Sequence, residues 1–280
     1  MDIEKEKKAI EYLKLFEPPK EKDELGYYLC YSGGKDSDVI RILAKLADVR
    51  HTVEHNLTTV DAPETIYYIR SIGGVIINSP EMSMWKLIEH HQYPPTRLTR
   101  YCCRKLKEAG GDGRLKVTGV RKNESVRRKK KSGLVQVIGK PKKTEKLAVQ
   151  MDLEYDKPTK ESLVMNLDND DSRRFVEQCY RTRKTLINPI VDWTEDDVWE
   201  FLHHYGCKSN PLYEDGYDRI GCIGCPMAAL RKREREFERW PKYKENYIKA
   251  FDRMIKAREA SGKETTWKSG EEVFEVWMSY

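Results

Sequence analysis

No stretch of the 280 residues approaches the roughly 20 consecutive apolar side chains that a membrane-crossing helix needs. The opening run, Met1-Asp2-Ile3-Glu4-Lys5-Glu6-Lys7-Lys8, has no apolar signal-peptide core behind it, so a cytoplasmic protein with no membrane partner is expected. Cysteine is absent from the last 55 residues, and the seven present are an odd number. In a charge-rich chain without an export signal, such a count points to reduced thiols, metal ligands or catalysis rather than a disulfide framework. Two common phosphate-binding patterns are missing as well. Leu29 stands where a Walker A loop needs Gly, Asp36 stands where it needs Ser or Thr, and no GxGxxG occurs.

What is present suffices for a folded core. The chain is 39% hydrophobic and 10% aromatic, which argues against general disorder, and its length suits one large domain or two small ones at roughly 150 residues each. Charge is plentiful but uneven. Residues 100–146 carry 17 Lys/Arg against 4 Asp/Glu, a local net of +13 within an overall +6. The densest part, Arg127-Arg128-Lys129-Lys130-Lys131 followed by Lys140, Lys142, Lys143 and Lys146, is interrupted by Gly133, Gly139 and Pro141. It reads as an exposed basic loop or hairpin, either a solvated surface or a site for a phosphate-rich partner such as DNA or RNA.

Hydrophobic periodicity predicts an N-terminal helix over 3–17, stopped by Pro18-Pro19. An aromatic strand over 26–31 runs straight into Ser32-Gly33-Gly34-Lys35-Asp36-Ser37 and a helix over 38–46. Further strands are expected over 51–57, 74–77 and 117–120, with helices over 62–71 and 84–90 between them. This alternation predicts an α/β fold, a parallel twisted sheet flanked by helices, with ligands at the carboxyl ends of the strands. From Thr194, a candidate cap for a helix over 195–204, the chain is mostly helical, with a break near Trp240-Pro241.

The Ser32–Ser37 segment lies between strand and helix, where glycines let the backbone approach a phosphate and the first-turn N–H groups attract anions. Lys35 adds a mobile positive charge, and Ser32 and Ser37 add hydroxyls. A bare connecting turn would not need Lys-Asp-Ser. SGGKDS resembles, in all six residues, the loop of the PP-loop ATP pyrophosphatases, the adenine nucleotide alpha hydrolase-like superfamily, which holds the pyrophosphate end of ATP.

Further motifs narrow the resemblance to the PAPS reductase-like group of that superfamily. Residues 55–70 (HNLTTVDAPETIYYIR) are similar to its second strand and following turn, where the adenine lies against the backbone, which implicates Thr58 and Asp61. Gly119-Val120-Arg121-Lys122-Asn123-Glu124-Ser125 resembles its GxRxxES element, whose arginine meets phosphate or sulfate oxygens. Asn188-Pro189-Ile190-Val191-Asp192-Trp193 with Asp197-Val198-Trp199, and Asn210-Pro211-Leu212-Tyr213 before Gly221-Cys222, complete the order. The resemblance covers about 26–228, leaving an N-terminal helix at 1–25, a basic insertion at about 121–146 and a helical extension at 229–280. It implies that Ser32, Gly33, Gly34, Lys35, Asp36, Ser37, Thr58, Asp61, Arg121 and Ser125 bind the nucleotide, with Lys35, Asp36 and Arg121 catalytic and Arg127 or Arg128 assisting.

The cysteines fall as Cys30, the pair Cys102-Cys103, Cys179, Cys207 and the CxxC Cys222 and Cys225. The last, beside Gly221, Gly224 and Pro226, is a tight turn suited to chelation. Iron-sulfur members of the group carry a pair and a CxxC at matching places, which implies Cys102, Cys103, Cys222 and Cys225 as ligands of a [4Fe-4S] cluster, with zinc the alternative for four thiolates. Cys30 reads as strand packing. The group's sulfonucleotide reductases attack sulfur with a cysteine in a C-terminal ECGLH-like segment, which this sequence lacks; Cys207 or Cys179 would have to substitute.

The leading expectation is therefore an enzyme that binds ATP with Mg²⁺, adenylylates an acceptor and passes sulfur to it. A sulfur donor such as a cysteine desulfurase and a nucleic-acid acceptor on the basic segment, as in DNA phosphorothioation or tRNA thiolation, are the implied partners. The rivals are a reductase of adenylyl sulfate or PAPS, and a noncatalytic nucleotide- and nucleic-acid-binding protein.

Overall fold

In the computed structural model, residues 2–139, 141–159, 162–179 and 184–279 are described. Lys140, Tyr180, Arg181 and Arg183 lie outside the described residues, as do the side chains of Arg127, Lys142 and Lys143. The chain divides into two compact units that exchange the polypeptide several times. The first comprises 1–55, 68–76 and 111–219, and the second 56–67, 77–110 and 220–280.

The first unit opens with α1 (Ile3–Leu15), capped by the Asp2 carboxylate, which accepts from the N–H groups of Glu4 and Lys5. Next come β1 (Tyr27–Cys30), α2 (Lys35–Leu46), β2 (His51–Asn56), α3 (Pro63–Ile72) and β3 (Val75–Asn78). The helix α2 forms because Val39, Ile40, Leu43 and Ala44 make one fully buried stripe, while Asp36 and Asp38 sit in the first turn, where the helix dipole favours them. Beyond β4 (Lys116–Val117) the chain adds α5 (Val126–Lys131), β5 (Val135–Ile138), α6 (Pro141–Gln150), β6 (Asp156–Thr159), β7 (Ser162–Met165), α7 (Asp170–Cys179), β8 (Lys184–Ile187) and α8 (Glu195–His204). The eight strands form one sheet in the order β3-β2-β1-β4-β8-β5-β7-β6. Asn56, the start of α3 from Pro63 to Tyr67, and Ile77 and Asn78 belong to the second unit.

The α/β class agrees with the sequence reading, and three details correct it. The sheet is mixed. β1 is parallel to β2 and β4, with Leu29 opposite Val53 and Val117, and β4 is parallel to β8, whereas β5 pairs antiparallel with β8 and β7, and β6 with β7. The strand expected over 117–120 ends at Val117. A Cβ on Gly119 would stand 2.7 Å from the Asp36 carbonyl oxygen, so the backbone leaves the ladder there to lie against α2. The basic run is a helix where a loop or hairpin was expected. Arg and Lys are good helix formers, the Ser125 hydroxyl accepts from the Arg128 N–H at 3.2 Å, and the Glu124 carboxylate pairs with Arg128, offsetting the repulsion of like charges.

The second unit gathers α4 (Met84–His91), α9 (Leu230–Arg239), α10 (Pro241–Ala260) and α11 (Gly270–Met278). The break expected at Trp240-Pro241 separates α9 from α10, with Pro241 opening the latter. Phe237, Tyr247, Phe251, Phe274 and Trp277 interlock, with Tyr247 and Trp277 centroids 4.7 Å apart. Arg233, 1% exposed, lies over Trp277 at 4.3 Å and donates to its carbonyl oxygen. Among the described residues no helix is long and apolar enough to cross a membrane.

Candidate phosphate loop and cysteine turn

In the first unit, the turn between β1 and α2 is held by its own side chains. Gly33 takes φ +71°, the left-handed region that a side chain would disfavour. The Ser37 hydroxyl donates to the Gly34 carbonyl at 2.6 Å and accepts from the Gly34 N–H at 3.1 Å, and Ser32 donates to Ser37 at 3.3 Å. Two residues from the Asn210-Pro211-Leu212-Tyr213 motif brace the turn from outside. Asn210 Nδ2 donates to the Gly33 carbonyl at 3.0 Å, and the Tyr213 hydroxyl accepts from the Lys35 N–H at 2.9 Å.

Four charges meet at the start of α2. Arg121, 2% exposed, places Nε 2.6 Å from Asp36 Oδ1 and Nη2 2.7 Å from Glu195 Oε2. Lys35 Nζ, itself buried, lies 3.1 Å from Glu195 Oε1 and donates to the Asp218 carbonyl at 3.2 Å, with the Tyr213 ring at 5.2 Å. Burial raises the Asp36 carboxyl above its usual range although Arg121 and Lys35 oppose that. Burial also works to raise Glu195, but there hydrogen bonds from Arg121 and Lys35 prevail and hold it below its usual value. The loop is thus a mixed-sign cluster. Its buried cations suit phosphate oxygens, and its carboxylates suit a divalent metal carried in with them.

Ser32, Gly33, Gly34, Lys35, Asp36, Ser37 and Arg121 are brought together by the structure. Ser125 instead caps α5 through its hydroxyl, and Arg128 is drawn to Glu124, which also takes Arg219 at 3.6 Å. Thr58 and Asp61 belong to the second unit. There the Thr58 N–H donates to Asp61 Oδ2 at 2.7 Å, the Thr58 hydroxyl lies 3.5 Å from the Cys222 sulfur, and Asp61 pairs with Cys222 through the backbone. Sequence reading did not find Glu195. An acid in the first turn after a capping Thr looks like ordinary helix chemistry, and only the fold brings Arg121 to it. Asn210 and Tyr213 were visible as a motif but carried no assigned role.

The four predicted ligand cysteines all lie in the second unit. Cys102 and Cys103 begin a short π-helical turn over Cys103–Lys107, a local irregularity frequent at functional sites. The Cys102 thiol is raised by its hydrogen bond with Cys103, by burial and by the nearby Cys222 and Cys225. Cys103 is lowered by the same hydrogen bond and by Arg100 and Lys107, while burial pushes Cys222 up to about 12. Around the CxxC, the Ile223 N–H donates to the Val60 carbonyl at 2.8 Å and the Gly224 N–H to Glu236 Oε2 at 2.8 Å. The Tyr247 hydroxyl donates to the Ile223 carbonyl at 3.1 Å, and Arg97 donates to the Pro226 carbonyl at 2.9 Å.

Among the described residues, no three His, Cys, Asp or Glu side chains are gathered to hold one metal ion. The four thiols nonetheless share one electrostatic neighbourhood, in which the Asp61 carboxylate also acts on Cys222 and the Glu108 carboxylate on Cys103. Zinc at about 2.3 Å from each sulfur would draw all four to one point, whereas an iron-sulfur group spreads its ligands over several irons. Four thiolates fit an iron-sulfur group and a zinc ion alike.

Cys30, Cys179 and Cys207 belong to the first unit. Burial pushes the Cys30 thiol up to about 11, as strand packing requires, and Cys179 is buried on α7. Cys207, 4.0 Å from Arg41, is raised by burial and by the Asp38 carboxylate.

Known proteins share parts of this chain. It is 41% identical over 54 residues to an adenosine 5'-phosphosulfate reductase of Allochromatium vinosum, which covers 19% of this chain and 21% of that protein. It is 26% identical over 263 residues to an uncharacterised protein of Methanocaldococcus jannaschii, covering 86% of this chain and 45% of that one. The chain thus spans less than half the length of these curated relatives. Among solved structures, a phosphoadenylyl-sulfate reductase from Candida auris, determined as a phosphate complex, aligns over 70% of this chain and 80% of its own, with 14% identity and a TM-score of 0.42. An FMN adenylyltransferase from Candida glabrata aligns over 79% of this chain and 63% of its own, with 12% identity and a TM-score of 0.44. The model of the phosphoadenosine phosphosulfate reductase domain matches residues 26–228, from the strand before the SGGKDS loop to just past the CxxC turn, and the chain belongs to that family.

Proposed function

We propose that the chain is an adenine-nucleotide enzyme that binds ATP with Mg²⁺ on the Ser32–Ser37 loop and adenylylates an acceptor oxygen, which prepares that centre for sulfur. The acceptor oxygen attacks the α-phosphorus, the bond to the bridging oxygen breaks, and pyrophosphate leaves with the electron pair. The observation that carries this reading is the joining of Lys35 and Arg121 to the carboxylates of Asp36 and Glu195 in one cluster. Lys35 and Arg121 hold phosphate oxygens and disperse the charge that builds on the leaving pyrophosphate, Ser32 and Ser37 keep the turn in shape, and Tyr213 and Asn210 fix its backbone. Positioning and electrostatics supply the rate, with no covalent intermediate on the protein.

Cys102, Cys103, Cys222 and Cys225 would hold the iron-sulfur group, which when bound supplies sulfur-handling or substrate-orienting chemistry. The exposed Lys129 and Lys130 of α5, a few residues from Arg121, support a polyanionic acceptor such as DNA or RNA.

A second reading, reduction of a sulfonucleotide, is favoured by the relatives named adenosine 5'-phosphosulfate reductase. It needs a reactive thiol, and Cys207, raised by burial, is a poor nucleophile at neutral pH unless binding changes its surroundings. The test is release of pyrophosphate from ATP and of sulfite from adenylyl sulfate, by the wild type and by Lys35→Ala. Pyrophosphate release by the wild type that Lys35→Ala loses is the expected result. Turnover untouched by Lys35→Ala, or sulfite release alone, overturns the proposal.

A further inference from the structure

The start of α8 is secured without Glu195. The Thr194 hydroxyl accepts from the Asp197 N–H at 3.2 Å, and the Asp197 carboxylate accepts from the Thr194 N–H at 2.6 Å, so the exposed first helical turn has its cap. Asp196, beside Glu195, points to solvent. The Glu195 carboxylate instead reaches away from its own helix and spans two cations, with Oε1 on Lys35 and Oε2 on Arg121.

The partners of this carboxylate are unequal. The Lys35 and Arg121 side chains are 5% and 2% exposed, while that of Glu195 is 51% exposed. A half-exposed Glu leaves at little cost, because water receives its charge. Arg121 keeps Asp36, but the buried Lys35 ammonium pairs with no other carboxylate among the described residues and cannot be left without an anion. The carboxylate is therefore released only as another anion takes its place, and the two cations are the ones on which phosphate oxygens would rest.

We propose that Glu195 is a specificity-determining residue of this site: its carboxylate holds the anion position on Lys35 and Arg121, a phosphate group enters by displacing it, and the displaced carboxylate makes phosphate binding depend on a divalent cation. This inference rests on the phosphate-loop reading above and deepens it. Once displaced, Glu195 remains within a side chain's reach of the incoming phosphates, with Asp36 still on Arg121. Two carboxylates beside a bare pyrophosphate repel it, and a divalent cation shared by carboxylate and phosphate oxygens turns that repulsion into attraction. A metal-borne triphosphate is accepted and a bare anion is held off.

The experiment measures binding of inorganic pyrophosphate to the full chain by calorimetry, in EDTA and in Mg²⁺, for the wild type, Glu195→Gln and Asp196→Asn, with Lys35→Ala as the loop control. Glu195→Gln keeps an oxygen for Arg121 and the shape of the helix start while removing the charge. The expected result is that Glu195→Gln tightens pyrophosphate binding in EDTA by about tenfold or more and shrinks the gain produced by Mg²⁺, whereas Asp196→Asn behaves as the wild type. If Glu195→Gln is indistinguishable from the wild type while Lys35→Ala abolishes binding, the inference falls and the loop reading stands. An equal effect of Asp196→Asn reduces the result to general charge and overturns the inference. If the wild type binds pyrophosphate in neither condition, or Lys35→Ala binds as it does, the loop reading falls and takes the inference with it.

Discussion

At the scale of single residues, Asp38 shows what burial does to a carboxylate next to the Ser32–Ser37 turn. It is fully enclosed, accepts from the Tyr31 hydroxyl at 2.5 Å and the Tyr68 hydroxyl at 2.9 Å, and has Arg41 Nε at 3.8 Å. Burial outweighs those partners and raises its pKa to about 6. Because the folded-state value lies above the unfolded one, the folded chain binds this proton more tightly, and the resulting stabilisation is present at low pH and lost as pH rises through about 6. Relative to Asp38→Asn, the wild type should therefore lose up to about 3 kcal/mol of stability between pH 4 and pH 7. Denaturant midpoints of both proteins across that range check this, and parallel curves would contradict it. The sequence could not reveal this environment, since Tyr68 stands 30 positions away and only folding brings it to Asp38. Gly33, Gly34 and Lys35 were legible for the opposite reason, because a strand, a glycine turn and a helix are neighbours along the chain. Arg121 was legible only through its motif. Its partner Glu195, 74 positions on, was not.

At the scale of elements, α9 and α10 act on the cysteine turn. The Glu236 carboxylate on α9 takes the Gly224 N–H, and the Tyr247 hydroxyl on α10 takes the Ile223 carbonyl oxygen. Both bonds are buried, so Glu236→Ala should leave an amide without its acceptor, at a cost of about 1–3 kcal/mol, and let the turn open. The expected readouts are a lower thermal midpoint and faster alkylation of Cys222 and Cys225. An unchanged midpoint together with an unchanged alkylation rate would show that the helices do not brace the turn. The helical character of this stretch and its break at Pro241 were readable from the sequence, because proline and apolar spacing are local signals. The strands from β5 to β8 were not foreseen. Each is four residues long, too short for alternation to stand out, and their order in the sheet is set by pairings such as Val135 with Ile187 that no local pattern encodes.

At the scale of the whole molecule, charge is segregated. The +13 of residues 100–146 sits in a chain whose overall excess is +6, and α5 presents Lys129 and Lys130 outward. Replacing Lys129, Lys130 and Lys131 with Gln should weaken binding of a DNA or RNA oligonucleotide and lower the slope of log K against log salt by about 2–3. A slope unchanged by these replacements would make the run a solvated surface. Family membership over residues 26–228 agrees with the span that the motifs marked out. The most direct test of the account is equilibrium binding of ATP, adenylyl sulfate and PAPS to anaerobically purified protein, each with and without Mg²⁺. The account requires ATP with Mg²⁺ to bind most tightly and to lose that advantage in EDTA. Tighter binding of either sulfonucleotide without the metal would contradict it.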